Sequence, residues 1–96
     1  MHNALDPILL SQLRLSVMSY LMVAREAEFS VLKEKTGATA GNLSAQLSKL
    51  QEAGYLQVEK TFRNNYPLTI CRLTPEGIAA FEQFYRDLKG YFDADK

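Results

Sequence analysis

The chain of 96 residues has one cysteine, one histidine, no net charge and no long apolar run. Each scarcity removes a class of protein. A lone thiol, Cys71, forbids an intrachain disulfide and fits a reducing compartment. No apolar stretch approaches the roughly 18–20 residues that a membrane span needs. The opening MHNALDPILLSQLR lacks a basic n-region and a small-residue cleavage site, so it does not read as a signal peptide. The expectation is a soluble cytoplasmic protein with no membrane partner. One histidine, His2, in a terminal tail cannot complete a Ser/His/Asp set, and neither an HExxH pair nor a Gly-rich phosphate loop is present, so no enzyme is expected. One His and one Cys cannot furnish a metal-ligand set either, and Asp93 and Asp95 read as a solvated tail; neither metal nor cofactor is expected. Zero net charge argues against strong, indiscriminate binding to nucleic acid.

What is present suits one small domain over residues 1–96, apolar enough for a core and small enough to gain from a partner subunit. The charge is unevenly spread. Residues 30–74 hold six basic against three acidic side chains, and residues 75–96 hold three against five. The basic surplus lies in the middle of the chain.

Asp6-Pro7 reads as an N-cap with proline at the first helical position. Leu10, Leu13, Val17, Tyr20 and Leu21 then keep helical spacing to about Ala24, with Ser11 able to split a short helix from a longer one. A second unit starts at Phe29-Ser30, with Ser30 as N-cap and Val31-Leu32 inward, and stops at Gly37, where a left-handed residue is wanted. Thr39 caps a third helix that runs to about Ala53 and ends at Gly54. Two helices about a Gly37-Ala38-Thr39 turn make a helix-turn-helix outline.

After Gly54 the period becomes alternating. YLQVEKTF and PLTICRLT flank Asn64-Asn65, a pair that tolerates positive φ at a hairpin turn, although a four-residue loop over Arg63 to Tyr66 keeps the same register. Either turn pairs Val58 with Cys71 and Leu56 with Leu73, all on one face, so Cys71 reads as core packing. Tyr66, Leu68 and Ile70 fall on the other face, where the helix before the wing or a second subunit would cover them. Thr74-Pro75-Glu76 opens a last helix. Ile78, Phe81, Tyr85, Leu88 and Phe92 are spaced 3, 4, 3 and 4, with Phe84 and Tyr91 beside them. These seven are the candidate dimer interface, because the domain core already has three helices and a hairpin to fill it.

The third helix carries the functional signal. Leu43, Leu47 and Leu50 mark its inward face, while Gly41, Asn42, Ser44, Ala45, Ser48 and Lys49 leave the outward face nearly bare of charge and bulk. A helix enters the major groove only if its side chains let the backbone approach, and Gly41 and Ala45 supply that clearance. Thr39, Asn42, Ser44 and Ser48 offer hydrogen bonds to bases or phosphates, and Lys49 offers a charge. The order of elements resembles a winged helix, and that resemblance implies that Lys60, Arg63, Asn64, Asn65 and Tyr66 at the hairpin tip lie along flanking backbone or in the minor groove.

Helix, helix-turn-helix, hairpin, helix is the order of a winged helix-turn-helix, a mainly α fold with a small β-hairpin wing (α+β). Over about Leu5 to Leu88 the chain resembles the small stand-alone winged-helix transcriptional regulators allied to the MarR and ArsR groups. The matching stretches are Leu13-Arg14-Leu15, GNLSAQLSKLQEAGY and YPLTICRLTPEG. The resemblance implies a winged-helix core over 5–74, a C-terminal dimerisation helix over 75–93, a tail at 94–96, and a homodimer on pseudo-palindromic double-stranded operator DNA. This chain departs from the family in a wing poor in basic residues, with Asn64, Asn65, Tyr66 and Leu68 at the tip. A small apolar effector between the first and last helices of the dimer, near Tyr20, Phe84 and Tyr85, is the one ligand option, against the commoner reading of such aromatics as plain core. The competing reading is a winged-helix protein-interaction module, which neutral charge and an apolar outer wing favour.

Overall fold

The computed structural model describes residues 3–93. A 3-10 turn over Pro7–Leu9 comes first, with the Asp6 carboxylate accepting from the Ile8 N–H at 2.9 Å. Ser11 then caps α1, Gln12–Ala24, by accepting from the Arg14 N–H, so the apolar run is split at this serine. Leu10 consequently falls on the connection and is exposed, while Val17, Met18 and Leu21 are buried.

The chain leaves α1 through Arg25, at φ 71°, and enters a short strand, β1, Glu26–Glu28. Sequence reasoning did not anticipate β1. It pairs antiparallel with the later hairpin, so the sheet has three strands in the order β1-β3-β2. Extended pairing right up to Glu28 also corrects the start of the next helix. Helix α2, Phe29–Thr36, has Glu28 at its N-cap position with no side-chain cap, and Ser30 sits exposed inside the first turn.

Gly37, at φ 71°, ends α2 in the left-handed conformation that a glycine adopts most easily. Thr39 caps α3, Ala40–Glu52, whose Leu43, Leu47 and Leu50 are buried. Strands β2, Leu56–Arg63, and β3, Tyr66–Leu73, meet in a two-residue turn with both asparagines at positive φ, 51° and 67°. The register pairs Val58 with Cys71 and Leu56 with Leu73, as the alternation requires. Cys71 is fully buried, and burial pushes its thiol up to about 11, so the side chain is an inert packing group.

Helix α4, Pro75–Phe92, is anchored at its first turn. The Thr74 hydroxyl accepts from the Gly77 N–H at 2.9 Å and donates to the Gly54 carbonyl at 2.6 Å, while the Thr74 N–H donates to the Tyr55 carbonyl at 3.2 Å. Gly77 is buried against that carbonyl; a Cβ there would sit 2.3 Å from the Tyr55 oxygen. The Tyr55 phenol reaches back to donate to Asp6. Burial, reinforced by the Asp6 hydrogen bond and charge, pushes this phenol from 10.0 up to about 12.

Two outcomes are expected. Gly77→Ala should destabilise the fold by about 1–3 kcal/mol in urea titration, because backbone must shift to admit the methyl group, whereas Gly41→Ala, whose Cβ meets nothing within 4 Å, should not destabilise it. A phenol raised from 10.0 to about 12 contributes stability that is fully present below pH 10 and lost as pH rises through 12. The stability advantage of the native chain over Tyr55→Phe should therefore shrink across that window, and an advantage that stayed constant would contradict the linkage.

Candidate nucleic-acid interface

Burying Leu43, Leu47 and Leu50 stabilises the fold by roughly 1.5–3 kcal/mol each, which fixes the rotation of α3 about its axis. Thr39, Gly41, Asn42, Ser44, Ala45, Ser48 and Lys49 are all exposed as a result. The Thr39 hydroxyl accepts from the Asn42 N–H at 3.2 Å. Among the described residues, no contact explains Gly41, since a Cβ there would point into open space. A helical glycine costs up to about 1 kcal/mol relative to alanine. Gly41 leaves the helix backbone open to its surroundings at this position.

Residues beyond the sequence-derived set support this face. Gln46 donates to the Asn42 amide oxygen at 3.1 Å, and Arg14 of α1 donates to Gln46 and to the Ile8 carbonyl, the latter at 2.6 Å. The start of α3 is thus held to α1 by a polar relay. The Asn42–Gln46 link was accessible from helical i,i+4 spacing; Arg14 lies 32 residues from Gln46, with no local signal.

A cleft of about 270 Å³ separates α3 from the wing. Ser44, Ser48 and Gln51 line one side, Val58, Lys60 and Thr69 the other, and Phe29 and Leu47 complete it. Lys60 therefore shares a cavity with the serines of α3. The remaining wing candidates lie elsewhere: Asn64 and Asn65 form the tip, and Arg63 and Tyr66 pair on the opposite face. That outer face is a charged ladder. Arg72 bridges Glu59 at 2.6 Å and Glu26 at 3.1 Å, hydrogen bonds that raise its already high pKa, and Arg63 pairs with Glu28 at 3.0 Å. Leu68 and Ile70 on this face are half-buried, and Ile70 shares a hollow with Tyr20 and Val31. Around Ile70 the cover comes from α1, α2 and β1 and not from α3, the helix before the wing, while Tyr66 is exposed.

The candidate dimer residues of α4 separate into two groups. Phe84 is buried in the chain's own core, which removes it from the exposed seam. Ile78, Phe81 and Leu88 are half-buried, the latter two against that core. Tyr85, Tyr91 and Phe92 are exposed, Phe92 at 77%. Leu15, Ser16 and Ser19 of α1 and Phe81, Tyr85 and Leu88 of α4 line an apolar groove of about 300 Å³. Tyr20 does not line that groove with Phe84 and Tyr85; it belongs to the hollow beside Ile70.

Among the described residues, no group of three or more His, Cys, Asp or Glu side chains is placed to hold a metal ion, and no helix is long and apolar enough to cross a membrane. His2 and Asp95 lie outside the described residues.

Known proteins match this geometry. The transcriptional regulator homologue protein from Pyrococcus horikoshii superposes with a TM-score of 0.84 at 29% identity, covering 91% of this chain and 86% of that one. The uncharacterized protein MJ0432 of Methanocaldococcus jannaschii is 32% identical over 78 residues, 81% of this chain and 85% of its own length. A mutant MarR from E. coli complexed with operator DNA shares the fold at a TM-score of 0.70 and 21% identity, with 93% of this chain spanning 63% of that one. The profile of the winged helix DNA-binding domain matches residues 13–92, from the first turn of α1 to the last residue of α4, and the chain belongs to that family.

Proposed function

We propose that the chain is a transcriptional regulator that binds double-stranded DNA as a cytoplasmic homodimer, inserting α3 in the major groove and laying the wing along the flanking backbone or minor groove. The observation that carries this reading is the exposed face of α3, where Gly41 and Ala45 are exposed and a Cβ at Gly41 would meet nothing within 4 Å, while the leucines lock the opposite face inward. Thr39, Asn42, Ser44 and Ser48 present donors and acceptors suited to bases and phosphates, and Lys49 presents a charge to phosphate. Lys60 lies across the cleft from the serines, within the same concave surface.

The dimer reading rests on α4. Tyr85 and Phe92 leave large apolar surface on the outside of a small chain, and the α1/α4 groove continues that surface. A twofold pairing through this face would present two α3 helices about one DNA turn, roughly 34 Å, apart. The groove is also the apolar hollow in which a small effector would lodge.

Selection of bound duplexes from a random pool should recover a pseudo-palindrome with half-sites spaced by about one helical turn, roughly 10 base pairs; recovery of no enriched sequence would contradict specific binding. Ala45→Glu should leave the thermal unfolding curve in place and weaken binding to the recovered duplex by at least about 100-fold, since it places a carboxylate against phosphates. Replacing both Tyr85 and Phe92 with Asp should yield folded monomers by light scattering; a persistent dimer would move the interface off this face of α4.

A further inference from the structure

The two faces of the hairpin differ in charge more than the sequence of the wing suggests. Outward, Glu59, Arg63 and Arg72 stand beside Glu26 and Glu28 of β1, three carboxylates against two guanidiniums, and both guanidiniums are engaged in ion pairs. Inward, toward the cleft, the hairpin presents Leu56, Val58, Lys60 and Phe62 from β2 and Pro67, Thr69, Cys71 and Leu73 from β3. Lys60 is the one charged side chain in that inner set, and no acid opposes it. The inner face therefore carries a single positive charge and the outer one a single negative surplus, a difference that favours a polyanion on the inner face.

Beyond Lys60 the inner face ends in Phe62, 72% exposed, directly opposite Pro67, which is also exposed. Phe62 is two residues along the strand from Lys60, roughly 7 Å. Nothing in the chain's core uses this ring. An uncovered aromatic opposite a proline, on the face of the hairpin whose charge favours an anion, has the character of a minor-groove wedge, in which apolar side chains press on sugars and base edges.

We propose that Phe62 and Pro67 form an apolar wedge that seats in the minor groove flanking the site read by α3, with Lys60 on the phosphate at the groove's rim. This rests on the DNA-binding reading above and deepens it. The wedge supplies through apolar contact what a basic wing supplies through charge, and the two leave different marks on salt dependence. A lysine that neutralises a phosphate contributes about 0.9 to the slope of log K against log salt, and a phenyl ring contributes nothing.

The test is a salt series of anisotropy titrations on a fluorescein-labelled duplex recovered from the random pool, using the full chain and the variants Phe62→Ala and Lys60→Gln, with hydroxyl-radical footprints of each. Phe62→Ala should bind about tenfold more weakly at every salt concentration with the slope retained, and the flanking minor-groove protection should vanish. Lys60→Gln should lower the slope by about 0.9 and keep that protection. Because Phe62 is exposed, its replacement should leave the unfolding midpoint in place. Equal affinity of Phe62→Ala and the native chain, or a footprint that does not change, would overturn the wedge while leaving the DNA-binding reading intact. Failure of the native chain to bind any duplex would overturn both.

Discussion

The burial of Leu43, Leu47 and Leu50 is the constraint on which the rest depends. Rotating α3 to hide its polar face would expose three leucines, a loss of several kcal/mol in a domain whose whole margin is about 5–15 kcal/mol. The surface opposite those leucines is consequently not free to vary with conditions. Thr39 at the start and Gly54, at φ 84°, after the end bound the helix, and the Arg14–Gln46–Asn42 relay ties its first turns to α1. The exposed face is rigidly placed, and it is bare where bareness has no internal use.

A second lock sets the direction of α4. Thr74 and Gly77 hold its first turn against the backbone of Gly54 and Tyr55, the residues that link α3 to the wing. Helix α3, the wing and α4 therefore meet at one junction. In the proposed dimer that junction would couple the pairing of two α4 helices to the spacing of two α3 helices.

Legibility followed the range of the interaction that decides each feature. The caps at Asp6, Thr39 and Thr74, the left-handed Gly37, the Asn64-Asn65 turn and the leucine stripe are local, and all were readable from spacing and residue type. The register of β2 with β3 followed from the turn and the alternation. Strand β1 was not legible, since Glu-Ala-Glu has no strand signature and is extended through pairing with β3, more than 40 residues away. The Ser30 cap failed for the same reason. Phe84 was placed on the dimer seam because a heptad count cannot tell which neighbour of a stripe turns inward. The pairing of Arg63 with Glu28 and the exposure of Phe62 are long-range as well, so alternation assigned the wing's faces without revealing what each face meets.

Lys60 and the polar face of α3 border the same cleft, on the opposite side of the hairpin from the outer ladder of ion pairs. Backbone amide shifts followed during titration with duplex DNA test this directly. The account predicts perturbations at Gly41, Asn42, Ala45 and Ser48 and along Lys60 to Asn65, with Gln57, Glu59 and Arg72 unmoved. Perturbations centred on the outer ladder or on α4, with α3 silent, would contradict it.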